Sequence, residues 1–177
     1  GETAFRRVCA QCHGTYGKDA SYPELLVGIE DIKTDRARLD ALTPKHRDSY
    51  GQSWFAEHGT KNNINDPGGY VAPPLDGIWA SAPYFHNGSV PTLEDVLNSK
   101  NRPKLYTRSF RTGADDYDAV KVGWKVTPAK AADRLPAYER RKIYDTTQPG
   151  RGNGGHTYGD HFTADERRAV VEYLKTL

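Results

Sequence analysis

Cys9-Ala10-Gln11-Cys12-His13 is the stretch on which the reading of this chain turns. It reads C-x-x-C-H, the spacing that attaches a c-type haem. Each thiol can form a thioether to a haem vinyl group, and the adjacent His13 then faces the iron as its proximal ligand. These are the only two cysteines among 177 residues, so the motif uses both. Two other chemistries compete for a C-x-x-C pair. A thioredoxin-like redox pair wants a βαβ setting, which the flanking sequence lacks. A structural zinc site needs four ligands, and no second cysteine pair exists. One covalently bound haem c is the expected cofactor, held by Cys9, Cys12 and His13.

Outward from the motif, Phe5, Val8, Cys9 and Cys12 fall at i, i+3, i+4 and i+7, which predicts a short helix over residues 3–13 with the cysteines on its apolar side. Arg6 and Arg7 lie off that face, and Gly14 and Gly17 end the helix. At the other end of the chain, Thr163-Ala164-Asp165-Glu166 has the form of a capping box. Val170, Tyr173, Leu174 and Leu177 then make the inward face of a last helix. As in cytochromes, the two terminal helices are expected to cross near the haem, Phe5 and Val8 against Tyr173 and Leu174.

Residues 22–45 read as a second helical region, with Leu25, Leu26, Ile29 and Ile32 on one face and Gly28 interrupting. Thr34 can cap a turn through Arg38 to Leu42, and Thr43-Pro44 reads as a stop. Residues 46–70 are polar, and 59–70 read as a loop. His46 and His58 in this region read as exposed or structural. Prolines and glycines make the first half of residues 71–98 an irregular wall. It carries Leu75, Ile78, Trp79, Tyr84 and Phe85, enough apolar surface to cover a porphyrin edge or to serve as plain core. Thr92 then caps a short helix with Leu93, Val96 and Leu97 inward. Residues 102–127 alternate loosely and predict one or two short strands; a helix is expected around Ala137 to Tyr144. Residues 147–155 form a glycine-rich loop in which Gly154 and Gly155 let backbone approach something flat, and His156 follows at once.

The hydrophobic fraction of 36% is modest for this length, and a buried haem would supply much of the missing apolar surface. A net charge of +2 is too balanced to argue for nucleic acid or an anionic membrane as partner. No run of 18 apolar residues reads as a membrane span. No signal peptide is evident, yet covalent haem attachment takes place outside the bacterial cytoplasm. Residues 1–177 are therefore expected to be one mono-haem domain cut from a larger secreted protein, periplasmic or extracellular. Methionine is absent. The common Met ligand of electron-transfer cytochromes is thus impossible, which leaves His, a weaker donor, water or an open sixth position.

Glu2-Thr3-Ala4-Phe5 through Cys9-Ala10-Gln11-Cys12-His13-Gly14 resembles the opening of class I cytochromes c. The stretch from Pro74-Leu75-Asp76-Gly77-Ile78-Trp79 through Tyr84-Phe85-His86-Asn87-Gly88 to Pro91-Thr92-Leu93 is narrower. It resembles the C-terminal cytochrome domain of the bacterial di-haem cytochrome c peroxidase superfamily, most closely the rubber-oxygenase-like branch. Phe110-Arg111-Thr112-Gly113 through Asp118, Val122-Gly123, and Asn153-Gly154-Gly155-His156-Thr157-Tyr158-Gly159 also fit that branch. Single cytochrome modules of this kind also occur in modular secreted proteins that bind polysaccharides. The resemblance implies an all-α class I cytochrome c fold with long loop insertions and room for a small β-hairpin. It also implies that His156, before the last helix, is the distal ligand of a six-coordinate haem. The branch often has Arg before the Pro-Leu pair, where this chain has Pro73. Members of the superfamily carry two haems, and only one C-x-x-C-H is present here.

His13 and His156 are thus the expected metal ligands. The second ring nitrogen of His156 is expected to donate to a carbonyl or carboxylate. His86, in the wall stretch, is the alternative sixth ligand, His161 a weaker one, and a water-bound or open iron the remaining case. Leu75, Trp79, Tyr84 and His86 are the expected haem wall. The expected function is electron transfer at low potential by one bis-histidine haem, without catalytic residues. The partner would be a transient redox protein, a secreted copper oxygenase or another cytochrome. A haem peroxidase or oxygenase fragment with an open iron is the alternative, and a haem that only staples the fold is a third reading.

Overall fold

Ala4, Phe5 and Val8 share one face of the opening run, and Glu2–Val8 is helical (α1), with Ala4 and Phe5 buried. Glu2 in its first turn and Arg6 and Arg7 in its last suit the helix dipole. Cys9 caps the end of α1 and the start of a second short helix, Ala10–His13 (α2). The structure, a computed structural model, describes residues 1–54, 56, 66–130 and 135–177.

The next elements in chain order are strand β1 (Leu26–Gly28) and three helices, α3 (Ile29–Ile32), α4 (Ala37–Asp40) and α5 (Pro44–Gly51). Strand β2 (Gly69–Val71) precedes the irregular wall, and helix α6 (Leu93–Val96) closes it. Strands β3 (Leu105–Arg108), β4 (Tyr117–Asp118), β5 (Gly123–Trp124) and β6 (Val126–Pro128) follow. Helix α7 (Ala137–Arg140), strand β7 (Tyr144–Asp145) and the long last helix α8 (Ala164–Leu174) complete the order.

The expected all-α fold is overturned. Among the described residues three small antiparallel sheets accompany the helices: β1-β2, β6-β3-β7 and β4-β5. The chain is mixed α and β. The physical reason lies in the long connections. They are too rich in Gly and Pro for helix, so their backbone groups find partners by pairing short extended segments. The helical reading of residues 22–45 fails the same way at Leu26–Gly28, which pairs with Gly69–Val71 (Leu26 opposite Val71). Helix α4 ends before Thr43-Pro44, as expected, and Pro44 also starts the next helix. Thr43 caps α5, its hydroxyl accepting from His46 N–H, and proline at the first helical position gives up no intrahelical bond. The expected loop over 59–70 falls partly outside the described residues, as does His58. Its described end is extended and enters β2.

The core sits where the terminal helices meet. Phe5 is 1% exposed and Val170 0%, and the Phe5 and Tyr173 rings lie 5.2 Å apart. Val90, Leu93, Leu97 and Val122 extend this cluster under the wall. The capping box of α8 is complete: Thr163 Oγ1 accepts from Glu166 N–H at 3.2 Å, and Glu166 Oε2 accepts from Thr163 N–H at 2.9 Å. Glu166 Oε1 also accepts from Arg7 at 2.6 Å, which ties the capped end to α1.

A candidate haem site between two histidines

α1 and α2 present Cys9, Cys12 and His13 to a cavity of about 460 Å³, within the range of small-molecule and cofactor sites. Leu75, Ile78, Tyr84 and Phe85 from the wall, Leu93, Val96 and Leu97 from α6, and Leu174 from α8 give it an apolar lining. Ile32, Thr34, Arg38 and Tyr70 close another side, and His156 and Tyr158 enter from the loop before α8.

On the proximal side, His13 Nδ1 lies 2.8 Å from the carbonyl of Pro73. A carbonyl only accepts, so Nδ1 carries the proton and Nε2 keeps its lone pair. Burial also lowers the His13 pKa, partly offset by that hydrogen bond, so the ring is neutral near pH 7. This is the arrangement that orients a metal-bound imidazole. Burial raises both thiols, Cys9 to about 11. A redox C-x-x-C pair needs a lowered thiol pKa, so the microenvironment is wrong for thiol–disulfide chemistry.

On the distal side, His156 has φ 47°, a left-handed conformation rare for a non-glycine residue. Its N–H donates to Ile32 O at 2.7 Å. Gly155 makes that contact possible, since a Cβ there would collide with the backbone of Ile32 and Lys33. The close approach expected of the glycines is thus to this strap of backbone, and at Gly154 nothing lies close to a Cβ position. Burial pushes the His156 pKa down to about 4, with His13 opposite adding to the shift, so this ring too is neutral. Its Nδ1 is buried and has no hydrogen-bond partner among the described residues.

The His13 and His156 rings both line the cavity, with centroids 6.2 Å apart and planes inclined at 57°. With metal–imidazole bonds of about 2.0–2.1 Å and each nitrogen about 1.2 Å from its ring centre, two imidazoles sharing one metal from opposite sides would sit about 6.4–6.6 Å apart. Three buried side-chain polar atoms lack a partner among the described residues: Thr34 Oγ1, His86 Nε2 and His156 Nδ1. All three residues line this one cavity. Buried polar groups are otherwise almost always paired, so the cavity suits an occupant that brings polar atoms of its own. The chemistry of the donors, the apolar lining and the ring separation fit a haem.

The structure brings Cys9, Cys12, His13, His156, Leu75, Tyr84 and His86 together around this cavity. Trp79 is not brought there. It is 48% exposed on a 3-10 turn, and Ile78 takes the wall position beside it. The turn reverses which side chain faces inward, and Tyr117 fixes it from outside by donating to the Trp79 carbonyl. His86 stacks on Tyr70 with ring centroids 4.9 Å apart. His46 and His161 are exposed and away from the cavity lining.

Arg102 is a residue that sequence reasoning missed. It is 9% exposed. Its guanidinium donates to five backbone carbonyls: Asp95 and Val96 at the end of α6, and Asn153, Gly155 and His156 in the distal loop. Asp35 supports the same loop by accepting from Gly152 N–H at 3.0 Å. Lone polar residues in a polar run give no periodic signal, so neither role was visible beforehand.

Residues 69–107 match a family model described as RoxA-like, cytochrome c-like. Two curated relatives come from Sinorhizobium fredii (strain NBRC 101917 / NGR234). The uncharacterized protein y4iM is 39% identical over 217 aligned positions, which cover 99% of this chain and 47% of that protein. The uncharacterized protein y4iJ is 37% identical over 127, covering 66% of this chain and 19% of that protein. The chain thus spans less than half the length of either relative. The family match falls on the segment that carries Pro73, Leu75 and Tyr84 into the cavity, and it supports a cytochrome c-like domain in this chain.

Proposed function

We propose that this chain is an electron-transfer module that holds one covalent haem c between His13 and His156. The carrying observation is the pair of neutral imidazoles whose centroids lie 6.2 Å apart in the lining of one apolar cavity, with both cysteines lining it too. When bound, the haem supplies a one-electron ferric–ferrous couple. The protein's part is to hold and tune it. Cys9 and Cys12 anchor the macrocycle through thioethers. Pro73 fixes the His13 tautomer, and His13 and His156 would both hold the iron, which would leave it closed to peroxide and oxygen. Two imidazoles favour ferric iron more than a Met/His pair does, which keeps the potential low. No proton needs to move.

The partner in this reading is another redox protein outside the bacterial cytoplasm, a cytochrome or a secreted copper oxygenase. It meets the haem edge through a small transient interface. The haem-loaded protein should show a six-coordinate low-spin spectrum without a methionine–sulfur band, and it should titrate reversibly as a one-electron couple. A high-spin ferric spectrum with fast peroxide reaction would replace this reading with a peroxidase or oxygenase fragment. A haem that never cycles would reduce it to a structural staple.

A further inference from the structure

We infer that Arg102 is the positioning residue of the distal histidine: its buried guanidinium clamps the loop that carries His156 and holds that ring over the iron position. The inference rests on the bis-histidine reading above. A guanidinium has five N–H donors, and here they meet five carbonyls. Two belong to α6, which packs in the core. Three belong to residues 153–156, a stretch whose glycines give it little stiffness of its own. The bonds to Gly155 and Asn153 are short, 2.7 and 2.8 Å, and the bond to the His156 carbonyl is 3.1 Å.

The clamp also reaches the ring from its other side. Arg102 Cζ lies 4.9 Å from the centre of the Phe85 ring, and that ring lies 5.9 Å from His156. Phe85 and His156 are both non-glycine residues with positive φ, 65° and 47°. Such conformations persist when their surroundings over-determine them. One side chain therefore bonds the strained distal residue and covers its strained neighbour. Among the described residues no carboxylate hydrogen-bonds to Arg102, although Asp95 and Asp160 lie near enough to favour its charge. The cation thus stands beside the distal ligand held by peptide dipoles. A buried positive charge opposes the extra charge of ferric iron, so it raises the potential above that of an otherwise equal site.

Two substitutions separate fork from charge. Arg102→Lys keeps the stem and the cation but cannot reach five carbonyls; Arg102→Gln loses both. In the haem-loaded protein, both should speed carbon monoxide binding to the ferrous form at least about tenfold, because His156 leaves the iron more often. Both should bring high-spin signal in at a higher pH than in the parent. Arg102→Gln alone should also lower the midpoint potential, with Arg102→Lys near the parent. If both variants lose only melting temperature, with carbon monoxide kinetics, spin state and potential unchanged, Arg102 is a structural residue and the inference fails. It fails equally if neither variant assembles with haem, since Arg102 is then needed for folding. A parent that is already high-spin, or that keeps its low-spin spectrum in His156→Ala, would instead overturn the bis-histidine reading on which it rests.

Discussion

The proximal and distal halves of the site are built in opposite ways. The proximal half is five consecutive residues at the end of a helix pair, packed on the best-buried part of the molecule, and one carbonyl, Pro73, completes it. The distal half brings one histidine to the same cavity by gathering remote segments. The strap at Ile32–Asp35, the turn at Asn87–Ser89 and Arg102, which is itself bonded to the end of α6, all bond the loop over residues 150–156. A covalent anchor needs only local spacing. In the proposed reading His156 is a dissociable ligand on a glycine-rich loop, which needs a frame, and the frame costs buried polar groups and left-handed backbone.

The largest test of this contrast removes the anchor. Replacing Cys9 and Cys12 by Ala should abolish covalent haem and leave a chain without a cooperative thermal transition, because about 460 Å³ of the interior would lose its occupant. Circular dichroism melting and a haem stain after denaturing electrophoresis check this. A cooperative apo-domain would show that the distal frame stands without the cofactor.

A smaller effect compares packing in the terminal-helix core with packing on the outer side of the wall. Phe5→Ala should destabilise by about 3–5 kcal/mol, the range for large-to-small changes in a core. Trp79→Ala, at a half-exposed indole, should cost under about 1 kcal/mol, close to the range for surface substitutions. Denaturant unfolding of the haem-loaded variants measures both. Equal losses would put Trp79 back into the haem wall.

The smallest effect is electrostatic and lies at the α1–α8 junction. The Arg7 hydrogen bond, then the capping bonds of Thr163, hold the Glu166 carboxylate down at about 2, below its ordinary 4.5. A depressed carboxylate contributes stability above the unfolded value and loses it as pH falls through the folded one. The melting temperature should therefore drop more between pH 4.5 and pH 2 in the parent than in Glu166→Gln, and added salt should shrink the difference because both groups face water. Parallel curves would mean that the cap alone, without the ion pair, joins the two helices.

How much of this was legible follows from where each residue's partners lie. Cys9, Cys12 and His13 carry their chemistry in their spacing, and Thr163 and Glu166 carry theirs within one turn. His156, which lines the cavity, is singled out only by the missing methionine and a family resemblance, since a lone histidine in a polar loop has no pattern of its own. Leu26 looked helical because Ile29 and Ile32 follow at helical spacing, but it pairs with Val71, which no local window contains. Trp79 was placed in the wall because it is central in the matched stretch, yet a 3-10 turn decides which neighbour points inward, and Ile78 does. Arg102 bonds backbone carbonyls, which every residue offers, so no residue pattern announces it.

The most direct test of the central claim is the low-temperature electron paramagnetic resonance spectrum of the ferric protein beside those of His156→Ala and His86→Ala. The account predicts a low-spin bis-imidazole signal in the parent and in His86→Ala, and a high-spin signal in His156→Ala. A parent that is high-spin from the start, or a low-spin signal that survives loss of His156 and disappears with His86, would contradict it.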